Sequence, residues 1–171
     1  DIHCGGVDNI FPHHEAEIAQ SECVTGLPFA RYWLHCAHLM VDGQKMSKSA
    51  GNFYTLRDLL ERGYSGREIR YALLSVHYRL PLNFTLPGLQ TARAALSRID
   101  AWVERLVTHS AGEAPAVTDP SSTSPAESFF SALDDDLNIS GALGRLFDWL
   151  RESNRAMDAG ELSPAQAARR P

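Results

Sequence analysis

"IHCGGVDNIFPHHEAEIAQSE", residues 2–22, decides how this chain is read. A short strand ends at the Gly5-Gly6 turn, and a helix opens at about Pro12, since proline is tolerated in a helix's first turn. Downstream, "WLHCAHLMV" at 33–41 is apolar enough for one further strand. Asp42-Gly43 then turns the chain back towards Lys45, a short-range hairpin signal. The first fifty residues thus read as strand, helix and hairpin, an α/β opening.

Beyond the hairpin the punctuation changes to helix starts. "TLRD" at 55–58 and "SGRE" at 65–68 each place a hydroxyl three residues before a carboxylate, the reciprocal arrangement that caps a helix. Thr85 can cap a long helix with Leu86, Leu89, Ala92, Leu96, Ile99, Val103 and Leu106 at three- and four-residue steps. Residues 109–126 are rich in Pro, Ser and Ala, have no apolar period, and read as a flexible connector. A last zone is helical again: Phe129, Phe130 and Leu133 precede "DDDLNIS", then Ala142, Leu143, Leu146, Phe147 and Leu150 form a stripe. "DDD" at 134–136 reads as acidic charge favouring the positive end of the 140–158 helix.

Composition narrows the class. With 171 residues, 44% hydrophobic and 22% charged, the chain can bury a core as one domain or two small ones. No apolar run approaches the roughly 20 residues of a membrane helix, and no basic-then-apolar export signal opens it, so we expect a cytoplasmic protein without a membrane partner. Three cysteines without a CxxC spacing are expected to be reduced thiols. A net charge of −5 argues against indiscriminate nucleic-acid binding but is compatible with a local basic face. The chain starts at Asp1, directly on a motif-like stretch, which raises the expectation of a piece of something longer.

Three constellations carry chemistry. "KMSKS" at 45–49 sets Lys45 and Lys48 on a short loop between Gly43 and Gly51. Ammonium groups on long stems, with serine hydroxyls beside them, suit a mobile clamp on a polyphosphate, though many such loops are only solvated hairpin tips. "GGVD" at 5–8 offers close backbone approach at Gly5 and Gly6 and an acceptor for ribose hydroxyls at Asp8; a Gly-Gly turn capped by Asp8 explains it equally well. His13 and Glu17, four apart on the expected helix, have the spacing to grip one ion or to form a surface pair. His14 and Glu15 would then point elsewhere and serve the fold.

At this point the sequence resembles the cysteinyl-tRNA synthetases. "DIHCGGVDNIFPHHEAEIAQSE", "DGQKMSKSAGNFYTLRDLL", "IRYALLSVHYRLPLNFT" and "DDDLNIS" are similar to that family's signatures, in its order. The resemblance implies α/β followed by all-α: the second half of a Rossmann-type catalytic domain with the lysine loop (1–54), stem-contact helices (55–84), a long helix beginning a bundle (85–108), a linker (109–126) and a further bundle portion (127–171). It implies Zn²⁺ with His13 and Glu17 as two of four ligands. It places Asp8, Gly5 and Gly6 near the adenosine of ATP taken with Mg²⁺, and Lys45 and Lys48 at the departing pyrophosphate, with Lys48 contacting ATP. The implied partners are L-cysteine, ATP and tRNA-Cys.

Departures qualify the expectation. The chain lacks the family's "HIGH"-type segment and both upstream cysteine ligands, and carries Ala16 where asparagine is common. We therefore expect the isolated polypeptide to be inactive, to hold zinc weakly, to need an N-terminal half, and to be capable of self-association through an open sheet edge. Two rival readings are a cysteine ligase acting on an amino sugar in mycothiol synthesis and a non-enzymatic RNA- or partner-binding module, for which Arg67, Arg70 and Arg79 with Tyr71 and Tyr78 make only a modest cluster that ordinary helix-surface arginines also explain.

Overall fold

The structure, a computed structural model, describes residues 1–47, 49, 51–110 and 125–163. It opens with β1 (Ile2–Gly6), a single 3₁₀ turn (Val7–Asn9) and a wide turn over Ile10–His14, from which α1 (Glu15–Thr25) emerges. The helix expected from Pro12 therefore starts three residues later. Phe11 has extended dihedrals (φ −134°, ψ 132°) inside the wide turn, and the Phe11–Pro12 peptide is cis. Gly26, left-handed at φ 67°, ends α1, as helix C-termini favour.

The apolar run 33–41 is not one strand but two. β2 (Tyr32–Cys36) pairs parallel with β1, and β3 (Leu39–Val41) belongs to a different sheet, between β4 (Gln44–Lys45) and β5 (Leu82–Phe84). The break has a local cause in hydrogen bonding. The Ala37 N–H donates to the Tyr78 carbonyl (2.8 Å) and the His38 carbonyl accepts from the Leu82 N–H (3.2 Å), so the segment 77–82 captures the backbone where the ladder would have continued. The β3–β4 hairpin forms as expected, with Asp42 (φ 50°) and Gly43 (φ 76°) both left-handed in its two-residue turn.

Both capping boxes are present. Thr55 and Asp58 open α2 (Leu56–Glu61); Ser65 and Glu68 open α3 (Gly66–Leu74). Thr85 caps α4 (Leu86–His109) through the Gly88 N–H, with Pro87 in the first turn. Leu59, Tyr64, Ile69 and Leu89 pack with Val41 and Phe84 into the first core. Further along α4, Trp102 and Leu106 join Leu150 and Met157 of α6 (Ile139–Asp158) in a second. Val103, expected inside, is 41% exposed, and Trp102 takes its place at 2%. α5 (Pro125–Asp134) precedes α6; the connector expected at 109–126 lies mostly outside the described residues. No helix among the described residues is long and apolar enough to cross a membrane.

Candidate functional site

A cluster of imidazoles forms where β1, β2 and the start of α1 meet. β1 presents His3, the wide turn delivers buried His14, and β2 contributes Trp33 and His35. The His3 ring centroid lies 4.7 Å from that of His14 and 5.0 Å from that of Trp33, while His14 Nδ1 and His35 Nε2 share a hydrogen bond at 2.8 Å. That bond fixes the His14 ring and leaves its Nε2 for another partner, the arrangement that orients metal-binding histidines.

Glu17 completes the group. Its Oε2 lies 2.6 Å from His3 Nε2, yet the two are not aligned as a hydrogen bond, and Oε2 is a buried oxygen without a hydrogen-bond partner. Side-chain donor atoms of His3, His14 and Glu17 all fall within 4.8 Å of one another. Two imidazole nitrogens and a buried carboxylate oxygen gathered this closely are the donor chemistry of a zinc site, so the residues offer three of the four donors a tetrahedral shell needs. His13, expected to pair with Glu17, is exposed and outside this group. The i, i+4 argument assumed a regular helix from Pro12. Because the regular helix starts at Glu15, it is His14, three residues before Glu17, that joins the carboxylate. The sequence reading assigns His14 to the fold and does not point to His3, since nothing in the spacing of one segment can report a partner from a neighbouring strand.

The two glycines at the end of β1 have specific neighbours. A Cβ on Gly5 would sit 2.8 Å from Cε1 and 2.9 Å from Nε2 of His14, so this ring lies directly on the strand. A Cβ on Gly6 would sit 2.4 Å from an Asp8 carboxylate oxygen. Asp8 itself is exposed in the 3₁₀ turn. The lysine loop leaves the second sheet. Lys45 is exposed at the end of β4, opposite Met40, and Lys48 lies outside the described residues. Beneath the loop, Asn52 accepts the Ser47 N–H (2.9 Å) and donates to the Lys45 carbonyl (3.2 Å), while Met46 packs on the first core. The sequence reading missed this anchor, although an asparagine beside Gly51 is a common loop fastener.

A polar junction joins the "HYR" and "DDD" segments. Asp136 Oδ2 accepts from Arg79 Nε (2.5 Å), and Oδ1 accepts from both Arg79 Nη2 (3.1 Å) and the Tyr78 hydroxyl (2.5 Å). These donors, Arg79 first and then Tyr78, hold the Asp136 carboxyl at about 2, below its ordinary 3.8, and the same contact raises Tyr78. Asp136 thus serves a partner 57 positions away rather than the helix end to which the sequence reading assigned "DDD". Arg67 is likewise committed, both terminal nitrogens donating to Asp100 at 2.7 Å, which removes it from any free basic patch.

Comparison with known proteins matches the chain in two segments. A family model described as tRNA synthetases class I (C) catalytic domain matches residues 1–94, and one described as DALR domain matches 128–170. Proteins named cysteine–tRNA ligase are similar: that of Chlamydia pneumoniae is 54% identical over 169 residues, covering 98% of this chain and 36% of the relative. That of Solibacter usitatus is 51% identical over 162 residues, covering 94% and 35%. The chain therefore spans about a third of the length of these relatives. Among solved structures, the ternary complex of Agrobacterium radiobacter K84 agnB2 LeuRS with tRNA and LeuAMS superposes with a TM-score of 0.74 at 17% identity, covering 98% of this chain and 23% of that one. The expected α/β-then-helical architecture is that of a class I synthetase.

Proposed function

Because this chain belongs to the family of class I (C) tRNA synthetase catalytic domains, we propose that it is the part of a cysteine–tRNA ligase that carries the lysine loop, acting within a longer polypeptide. The observation that carries this reading is identity near 54% to cysteine–tRNA ligases across nearly the whole chain. In the reaction, the cysteine carboxylate attacks the α-phosphorus of ATP in line and pyrophosphate departs. A terminal ribose hydroxyl of tRNA-Cys then takes the aminoacyl group, releasing AMP.

Lys45 and Lys48 neutralise charge building on the departing pyrophosphate, an electrostatic and positional role without covalent chemistry, with the ATP carried as its Mg²⁺ complex. Asp8 accepts from the ribose, and Gly5 and Gly6 keep the strand end low enough for the adenosine to approach. Zinc, when bound, supplies a soft site for the substrate thiolate and so separates cysteine from serine. Glu17 is a ligand in either arrangement of the imidazoles. The resemblance pairs it with His13, whereas the grouping of donor atoms supports His14 and His3, with upstream residues of the longer polypeptide completing the shell.

Purified full-length polypeptide should catalyse cysteine-dependent pyrophosphate exchange and charge tRNA-Cys, while residues 1–171 alone should do neither. Transfer of labelled cysteine to an amino sugar in place of tRNA would assign the chain to the other ligase class. Exchange by the isolated chain would overturn the fragment reading.

A further inference from the structure

We propose that Asp136 is a positioning residue that fastens the C-terminal helices onto the 75–82 segment and, through Tyr78, sets the corner between β2 and β3 on which both halves of the site depend. The inference rests on the function proposed above, and it begins with Tyr78, which is held at both ends. Its carbonyl accepts the Ala37 N–H (2.8 Å) at the corner, and its hydroxyl donates to Asp136 (2.5 Å). On one side of that corner β2 carries Trp33 and His35 into the imidazole cluster; on the other, β3 leads into the hairpin that ends at Lys45.

Three further observations give the junction the character of a built fastening. Arg79 grips Asp136 through two nitrogens and stacks its guanidinium 5.0 Å from the Tyr78 ring centroid, so the two donors brace each other. Ser140, at the start of α6, donates to the Ser75 carbonyl (3.1 Å), a second tie between the same segments. Asp136 and Leu137 adopt successive left-handed conformations (φ 53° and 56°), which residues with a Cβ rarely take. Such a conformation persists where surroundings enforce it, and here it aims the carboxylate at Arg79 while Leu137 and Ile139 line a 500 Å³ apolar cavity shared with Leu34, Cys36 and Tyr78. The fastening therefore bridges the segment matched by the catalytic-domain family and the segment matched by the DALR domain.

The experiment uses the full-length polypeptide carrying Asp136→Asn, Tyr78→Phe, Arg79→Asp, or the exchanged pair Arg79→Asp with Asp136→Arg. For Asp136→Asn we expect a fall of about fivefold in the kcat of cysteine-dependent pyrophosphate exchange measured without tRNA, at nearly unchanged KM for cysteine. Faster hydrogen exchange should appear at the Ala37 amide and across 39–45; the exchanged pair restores the ion pair but no acceptor for the Tyr78 hydroxyl, so exchange at Ala37 should stay fast in it. Tyr78→Phe, which removes only the hydroxyl and keeps the ring, should reproduce the hydrogen-exchange change. Unchanged protection at Ala37 in both Asp136→Asn and Tyr78→Phe overturns the proposal, as does a loss of stability with kcat intact. If the unsubstituted polypeptide shows no exchange activity, the proposed function fails, and the protection at Ala37 alone decides the role of Asp136.

Discussion

Gly5 shows how much a site can depend on an atom that is absent. The His14 ring occupies the space a Cβ would need, 2.8 Å away, and that ring is buried and tied to His35. An added methyl cannot be accommodated by a swing into solvent, so overpacking of about 1–3 kcal/mol is expected together with displacement of the imidazole. In the full-length polypeptide, Gly5→Ala should lower zinc per chain, measured by atomic absorption. Gly6→Ala meets only the exposed Asp8 carboxylate, and should raise the KM for ATP while leaving zinc in place. The same assay ranks the histidines: zinc lost with His14→Ala and kept with His13→Ala supports the grouping seen here, and the reverse supports the spacing argument. Glu17 belongs to both arrangements, the one expected from spacing and the one the structure groups. Spacing alone does not choose its imidazole partner, because the regular helix begins at Glu15, three residues after Pro12, and that start decides which ring faces inward.

At the scale of elements, local chemistry was read well and tertiary capture was not. Capping residues act within four positions, so "TLRD" and "SGRE" announce α2 and α3 directly, and Thr55→Ala should lower stability by about 1 kcal/mol in chemical denaturation. The division of 33–41 into β2 and β3 depends on Tyr78 and Leu82, forty residues away, which no periodicity within the run can register. Glu68 connects the two kinds of information, closing the α3 capping box while binding Arg93 of α4. The Arg93 guanidinium, followed by the Ser65 N–H, holds its carboxyl at about 2, against an ordinary 4.5. A carboxyl depressed in the folded state stabilises the fold fully above its unfolded value and loses that contribution as protons are added. The stability difference between the native protein and Glu68→Gln should therefore be constant above pH 4.5 and shrink as pH falls towards 2. A difference that grows on acidification would contradict the assignment.

At the scale of the molecule, α4 is a strut with a core at each end. Leu89 packs with the sheet and α3, and Trp102 and Leu106 pack with α6 some three turns later. The apolar stripe of α4 was visible in the sequence, but not that its two halves serve different cores, since both faces obey the same three- and four-residue step. Within the second core the Trp102 indole donates to the buried Ser153 hydroxyl (2.7 Å) and packs edge-on against Trp149, with ring centroids 5.0 Å apart. Trp102→Ala leaves both a cavity and a buried hydroxyl short of its donor, a combined loss of about 3–5 kcal/mol. Because the first core has its own side chains, that loss should fall unevenly. Hydrogen exchange should quicken through 99–109 and α6 while Val41, Phe84 and Leu89 keep their protection. Equal loss of protection at both ends of α4 would show instead that the two cores fold as one unit. In that case the fastening at Asp136 would have no independent body to hold in place.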